Sequence, residues 1–129
     1  GTSMVKHFNV KDIFPNQKCF FKSVSGGLIK SIRQILESRS LLLKNCKIFV
    51  ITVGSNDMDS KQGVQNGINE FLKLAKYLKN EYKDGKFVIN KLIPRTRTKH
   101  IELADFEQCR IQFNNFFISN NDVERTKIT

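Results

Sequence analysis

Apolar residues are grouped along the chain into strand-like runs that alternate with helix-like periods. Three short runs of apolar and β-branched residues predict strands, at residues 18–24, 47–53 and 86–93. After each run, apolar residues recur with the spacing of one helix face, which predicts helices at residues 28–38, 64–82 and 101–117. Strands that alternate with helices are typical of parallel sheets with crossover connections. The pattern therefore predicts an α/β fold, a three-layer α/β/α arrangement around a mostly parallel sheet.

Each predicted strand ends in small or hydrogen-bonding residues. The three exits are Ser25-Gly26-Gly27, Gly54-Ser55-Asn56-Asp57 and Pro94-Arg95-Thr96. In open parallel sheets the ligand crevice lies at the carboxyl ends of the strands, so we expect the three exits to share one edge of the sheet. Beyond the last helix, the segment around Asp122 follows too closely to leave room for another strand.

The charge of the chain leaves two interpretations open. The formal net charge is +10, and the lysines are spread over the chain without an aromatic-rich RNA-binding signature. This is consistent with a solvated surface, and it also favours attraction to nucleic acid or acidic lipid headgroups. The densest basic run is RTRTKH at residues 95–100, which is either a solvated loop or a phosphate contact through Arg95, Arg97 and Lys99.

Cysteine and histidine spacing predicts neither a metal site nor a cofactor. The three cysteines form no CxxC pair, and His7 and His100 have no second ligand nearby in the sequence. Reduced thiols are typical of intracellular proteins of the cytoplasm or nucleus, and no signal-peptide pattern is recognisable. No apolar run reaches the length of about 18 residues that a membrane span requires.

The strand exits, taken in order, resemble the motifs of SGNH (GDSL-type) hydrolases. GSND at residues 54–57 resembles the G-x-N-D block of that family, and Ser25-Gly26-Gly27 resembles its glycine block. LIPRT at residues 92–96 and GTSMVKHFN at residues 1–9 resemble blocks of the versions that transposable elements carry, with Thr2 where Asp is usual. The resemblance implies a flavodoxin-like fold and a single SGNH hydrolase-like domain over residues 1–129.

The resemblance also implies roles for individual residues. Ser3 would be the nucleophile that attacks an ester carbonyl, and Gly26 and Asn56 would donate hydrogen bonds to the oxyanion. Asp57 is expected to cap its own loop and to hold Asn56 in place. Asn56 and Gly26 are equally compatible with purely structural roles in turns.

Two departures from the family pattern shape the prediction of function. No Asp-x-x-His motif occurs, and no apolar strand precedes Gly1; His100, at the start of the last helix, is a poor substitute base. Residues 1–3 are alternatively a cloning remnant, in which case the match at Ser3 is due to chance.

These departures favour a truncated or divergent copy of the domain. We therefore predict a noncatalytic or weakly active module that binds nucleic acid or protein. The alternative is a serine esterase with Ser3 as nucleophile and a base supplied from outside this chain. Because missing strands would leave sheet edges unpaired, a protein partner or a second copy of the chain is also expected.

Overall fold

The computed structural model describes residues 21–25, 27–119 and 125–129. Its strands, in chain order, are β1 Phe21–Ser25, β2 Ile48–Thr52, β3 Lys86–Ile89 and β4 Thr126–Ile128. Its helices, in chain order, are α1 Ile29–Ser38, α2 Ser40–Leu43, α3 Ser55–Met58, α4 Gly63–Glu81 and α5 Leu103–Ser119. The predicted α/β class with a parallel sheet is confirmed.

All four described strands are parallel and are hydrogen-bonded in the order in which they follow along the chain. At their carboxyl ends, Ser25 lies opposite Thr52, Ile51 lies opposite Ile89, and Ile89 lies opposite Ile128. The residues that follow β1, β2 and β3 therefore leave the sheet side by side.

The apolar strands are buried on both faces. Phe49 and Ile51 belong to a core cluster that they share with α1, α4 and α5, and these helices pack as neighbours. Ile48, Val50 and Val88 point to the opposite face and are fully buried as well. Nearly continuous apolar strands of this kind are typical of a sheet that is covered on both sides.

Aromatic side chains join α4 to α5. Phe71 lies 4.8 Å from the ring centre of Phe117 and 6.1 Å from that of Phe113. Phe113 and Phe117 are one helical turn apart, are buried and lie 4.6 Å from each other. Both residues therefore belong to the core, and the burial of each such side chain stabilises the fold by about 1.5–3 kcal/mol.

The prediction that no strand follows the last helix is wrong. Thr126–Ile128 pairs with β3, and the ladder includes a 2.7 Å bond from the Phe87 N–H to the Arg125 carbonyl. At the other end, the Thr129 N–H donates to the Ile89 carbonyl at 2.8 Å. A strand of three residues is shorter than the runs of four or more that pattern analysis can detect.

Within the part of the chain that the structure describes, no helix is both long and apolar enough to cross a bilayer.

Candidate functional site at the strand exits

The exits of β1, β2 and β3 line one cavity of about 310 Å³ at the carboxyl edge of the sheet. We call it the strand-exit cavity, and its walls are formed by Gly27, Thr52, Val53, Gly54, Ser55, Asn56, Lys91, Leu92, Ile93, Pro94 and Arg95. The predicted convergence of the three exits is thus confirmed. Ser3 and Gly26, the predicted nucleophile and glycine donor, lie outside the described residues.

Asn56 links all three exits. Its Oδ1 atom accepts a 2.7 Å hydrogen bond from the Arg95 guanidinium, and its Nδ2 atom donates to the Gly27 carbonyl at 3.4 Å. Only the amide oxygen can accept from a guanidinium, so Arg95 fixes the orientation of the amide. The Nδ2 donor is therefore turned toward the β1 exit, where its bond to Gly27 is long and weak.

Arg95 is held more tightly than the other two predicted phosphate contacts. Its guanidinium donates to Asp59 at 3.0 Å and lies 5.0 Å from the ring centre of Phe106. Its side chain is 24% exposed, whereas Arg97 and Lys99 are exposed. Arg95 is thus built into the wall of the cavity, and Arg97 and Lys99 extend from the neighbouring loop.

Asp59, which the sequence analysis missed, fixes this loop. The buried carboxylate accepts hydrogen bonds from the backbone N–H groups of Lys99 and His100 at 2.8 and 2.9 Å, in addition to the Arg95 ion pair. Burial raises the pKa of Asp59, but the N–H donors of Lys99, His100 and Ile101 and the charge of Arg95 outweigh it, so that the net pKa lies below its ordinary value. The bonded partners are 36 to 41 residues away in sequence, so no local motif reveals the role of Asp59.

Asp57 has a longer-range role than the one predicted for it. Its buried Oδ2 atom accepts a 3.1 Å bond from the N–H of Ile29, the first residue of α1. Burial raises the pKa of Asp57 against the opposing effect of this hydrogen bond. Asp57 therefore ties the β2 exit to the start of α1, while the side chain of Asn56 is held by Arg95.

Two buried side-chain amides, those of Asn90 and Asn114, hold the β3 exit in place. Asn90 donates from Nδ2 to the Thr52 hydroxyl at 2.8 Å and accepts from the Thr129 hydroxyl. Asn114 of α5 both accepts from the Leu92 N–H at 2.7 Å and donates to the Leu92 carbonyl at 2.9 Å. The β3 exit is thus anchored to its neighbouring strands and to α5.

The electrostatics of the cavity favour an anion. Its described lining contains two cations, Lys91 and Arg95, and no carboxylate or histidine. An open concavity of about 710 Å³ adjoins it, and the exposed side chains of Lys61, Lys99 and His100 border that concavity. Among residues 21–25, 27–119 and 125–129, no cluster of three or more potential metal ligands occurs.

Comparisons with protein-family models, with curated proteins and with solved structures gave no match to this chain.

Proposed function

We propose that this chain is an SGNH hydrolase-like domain that acts as a nucleic-acid-binding module through the edge of the sheet that holds the strand-exit cavity. The observation that carries the proposal is the charge distribution at this edge. The described lining of the cavity contains Lys91 and Arg95, of which Arg95 is paired with Asp59 outside that lining. The exposed Lys61 and Lys99 border the adjoining concavity, and the exposed Arg97 lies in the same loop as Arg95 and Lys99. Exposed lysine and arginine side chains on one face are the usual contacts of a phosphate backbone.

The three-layer, flavodoxin-like arrangement of SGNH type is part of this proposal. Burial of Ile48, Val50 and Val88 on the face away from α1, α4 and α5 supports layers on both sides of the sheet. A doubly wound sheet has a point where the strand order reverses, and the described strands would all lie on one side of that point. The GSND block begins two residues after the end of β2, a position that fits the family pattern.

The make-up of the cavity favours binding over catalysis. Ser55 is the one serine in the described lining, and no histidine or carboxylate lines the cavity beside it. A serine without a positioned base is a weak nucleophile. Two nearby carboxylates are already engaged in structural hydrogen bonds. Asp57 accepts from the first N–H of α1, and Asp59 accepts from the guanidinium of Arg95.

The proposal predicts salt-dependent binding of single-stranded nucleic acid. The affinity for a fluorescent oligouridylate, measured by anisotropy, is expected to fall linearly with salt on a log–log plot with a slope of about −2 to −3, which corresponds to three or four phosphate contacts. Binding that salt does not weaken, or no binding at low salt, would contradict the proposal.

A second candidate is the serine esterase with Ser3 as nucleophile and its base supplied from outside the chain. The 3.4 Å bond between Asn56 Nδ2 and the Gly27 carbonyl favours it, because so weak a bond leaves the amide able to donate to an oxyanion. This candidate predicts turnover of p-nitrophenyl acetate that Ser3→Ala abolishes and that Asn56→Ala lowers by about 10²–10³-fold. The exposed Ser31 provides the control, and activity that survives Ser3→Ala would rule the candidate out.

A further inference from the structure

We propose that the strand-exit cavity binds the terminal phosphate of a nucleic-acid strand, with Arg95 and Lys91 as its cationic contacts. This inference rests on the proposed function, because the strand is the source of the phosphate. The proposed site would recognise one chemical group, the terminal phosphate. The rest of the binding face would contact only the phosphate backbone of the strand.

The guanidinium of Arg95 is already oriented before any ligand binds. Asp59 and Asn56 each accept one hydrogen bond from it, and the ring of Phe106 supports it from one side. These two bonds use two of the five N–H donors that a guanidinium has. Because Arg95 also lines the cavity, its other N–H groups can bind phosphate oxygens there with little loss of side-chain entropy.

The charge of the cavity matches a phosphomonoester better than an internal phosphodiester. A phosphomonoester carries a charge of about −1.5 to −2 at neutral pH, whereas each phosphodiester in a chain carries a single charge. Two cations line the cavity, and Asp59, which partly neutralises Arg95, lies in the wall of the adjoining concavity instead. The described lining thus offers a second cation, Lys91, and contains no carboxylate that would offset its charge.

A hydroxyl group adds a donor to the same wall. The Thr52 oxygen accepts a hydrogen bond from Asn90, so the hydroxyl hydrogen of Thr52 is left to donate. Thr52 and Ser55 both line the cavity, together with the apolar side chains of Val53 and Leu92. A volume of about 310 Å³ is at the small end of ligand sites and suits one phosphate-bearing strand end.

Internally labelled oligouridylates of about 12 nucleotides test the inference. They carry a 5′-phosphate, a 3′-phosphate or hydroxyl groups at both ends, and inorganic phosphate serves as a competitor. We expect one phosphorylated end to bind about tenfold more tightly than the hydroxyl-ended strand. Lys91→Gln and Arg95→Lys should each remove this preference, and Lys44→Gln, at the opposite edge of the sheet, should retain it. Because Lys91 is exposed, its variant is expected to fold normally.

Each outcome separates this inference from the proposed function. Equal affinity for all three strands, with the salt dependence intact, would overturn the terminal-phosphate site and leave the binding module standing. A preference that persists in both Lys91→Gln and Arg95→Lys would place the phosphate elsewhere and also overturn it. Inorganic phosphate that competes as strongly as the phosphorylated strand would show a site for free phosphate, not for a strand end. If a phosphorylated strand bound while the hydroxyl-ended strand bound at no salt concentration, the site would stand and the extended binding face would be wrong.

Discussion

Replacement of Asp59 by alanine is expected to lower the free energy of unfolding by about 3 kcal/mol. The buried carboxylate accepts from Arg95 and from the backbone N–H groups of Lys99 and His100. Without it, the guanidinium loses its counter-charge and two backbone donors lose their acceptor. The loop would then cease to present Arg95 to the strand-exit cavity.

Urea denaturation of the wild type and the Asp59→Ala variant measures this effect, and Asp84→Ala is the control because Asp84 is an exposed carboxylate at the opposite edge of the sheet. The folded-state pKa of Asp59 lies below its ordinary value. Its stabilising contribution is therefore present above the unfolded-state pKa of about 4 and is lost as the pH falls through the lower folded-state pKa. The difference between wild type and variant should shrink in acid. A loss of stability no larger than that of Asp84→Ala would contradict the assigned role.

Replacement of Gly54 by alanine is expected to lower the free energy of unfolding by about 2–3 kcal/mol. Gly54 has a φ of +110°, which side-chain-bearing residues rarely adopt. A Cβ atom at this position would also lie 2.6 Å from Cε1 of Phe113, a fully buried ring that has little space to move. The glycine of the GSND block thus allows β2 to turn sharply under α5 and to place Asn56 in the cavity.

The Gly63→Ala variant distinguishes backbone strain from the steric clash with Phe113, which are the two effects expected of Gly54→Ala. Gly63 has a φ of +79°, but no heavy atom lies within 4 Å of the position that a Cβ atom would take there. The substitution should therefore add backbone strain alone, which costs about 1 kcal/mol. Thermal or urea unfolding of both variants compares them directly. Equal losses for the two glycines would show that close packing against Phe113 does not constrain Gly54.

The elements that the sequence predicted well are those that periodicity specifies. A continuous apolar run predicted β2, and regularly spaced apolar residues predicted α4, whose buried Phe71, Leu74 and Leu78 lie on one face. The convergence of Gly27, Asn56 and Arg95 at one cavity was also predictable. It follows from parallel topology alone, because that topology brings the carboxyl ends of the strands to the same edge.

The features that the sequence did not predict depend on contacts between distant residues. Asp59 bonds to residues 36 to 41 positions away, and Asn114 bonds to Leu92 across 22 positions. An isolated polar residue of this kind belongs to no repeating pattern in the sequence. Its hydrogen-bond partners can therefore be identified only from the folded structure. The role of Asp57 at the start of α1 was missed for the same reason, since its partner Ile29 is 28 positions away.

The location of the nucleic-acid-binding face is tested by two triple variants with matched charge. The rim variant replaces three exposed cations with glutamine: Lys91 of the cavity lining, Lys99 at the adjoining concavity, and Arg97 in the same loop as Lys99. The control variant makes the same change at three exposed cations of the opposite edge of the sheet, at Lys44, Lys47 and Lys83. Oligouridylate affinity is measured for both over a range of salt concentrations. In the rim variant, the slope of log affinity against log salt concentration should become shallower by about 2. In the control variant, the slope should remain nearly unchanged. Equal losses in the two variants, or a larger loss in the control, would show that the strand exits are not the binding face.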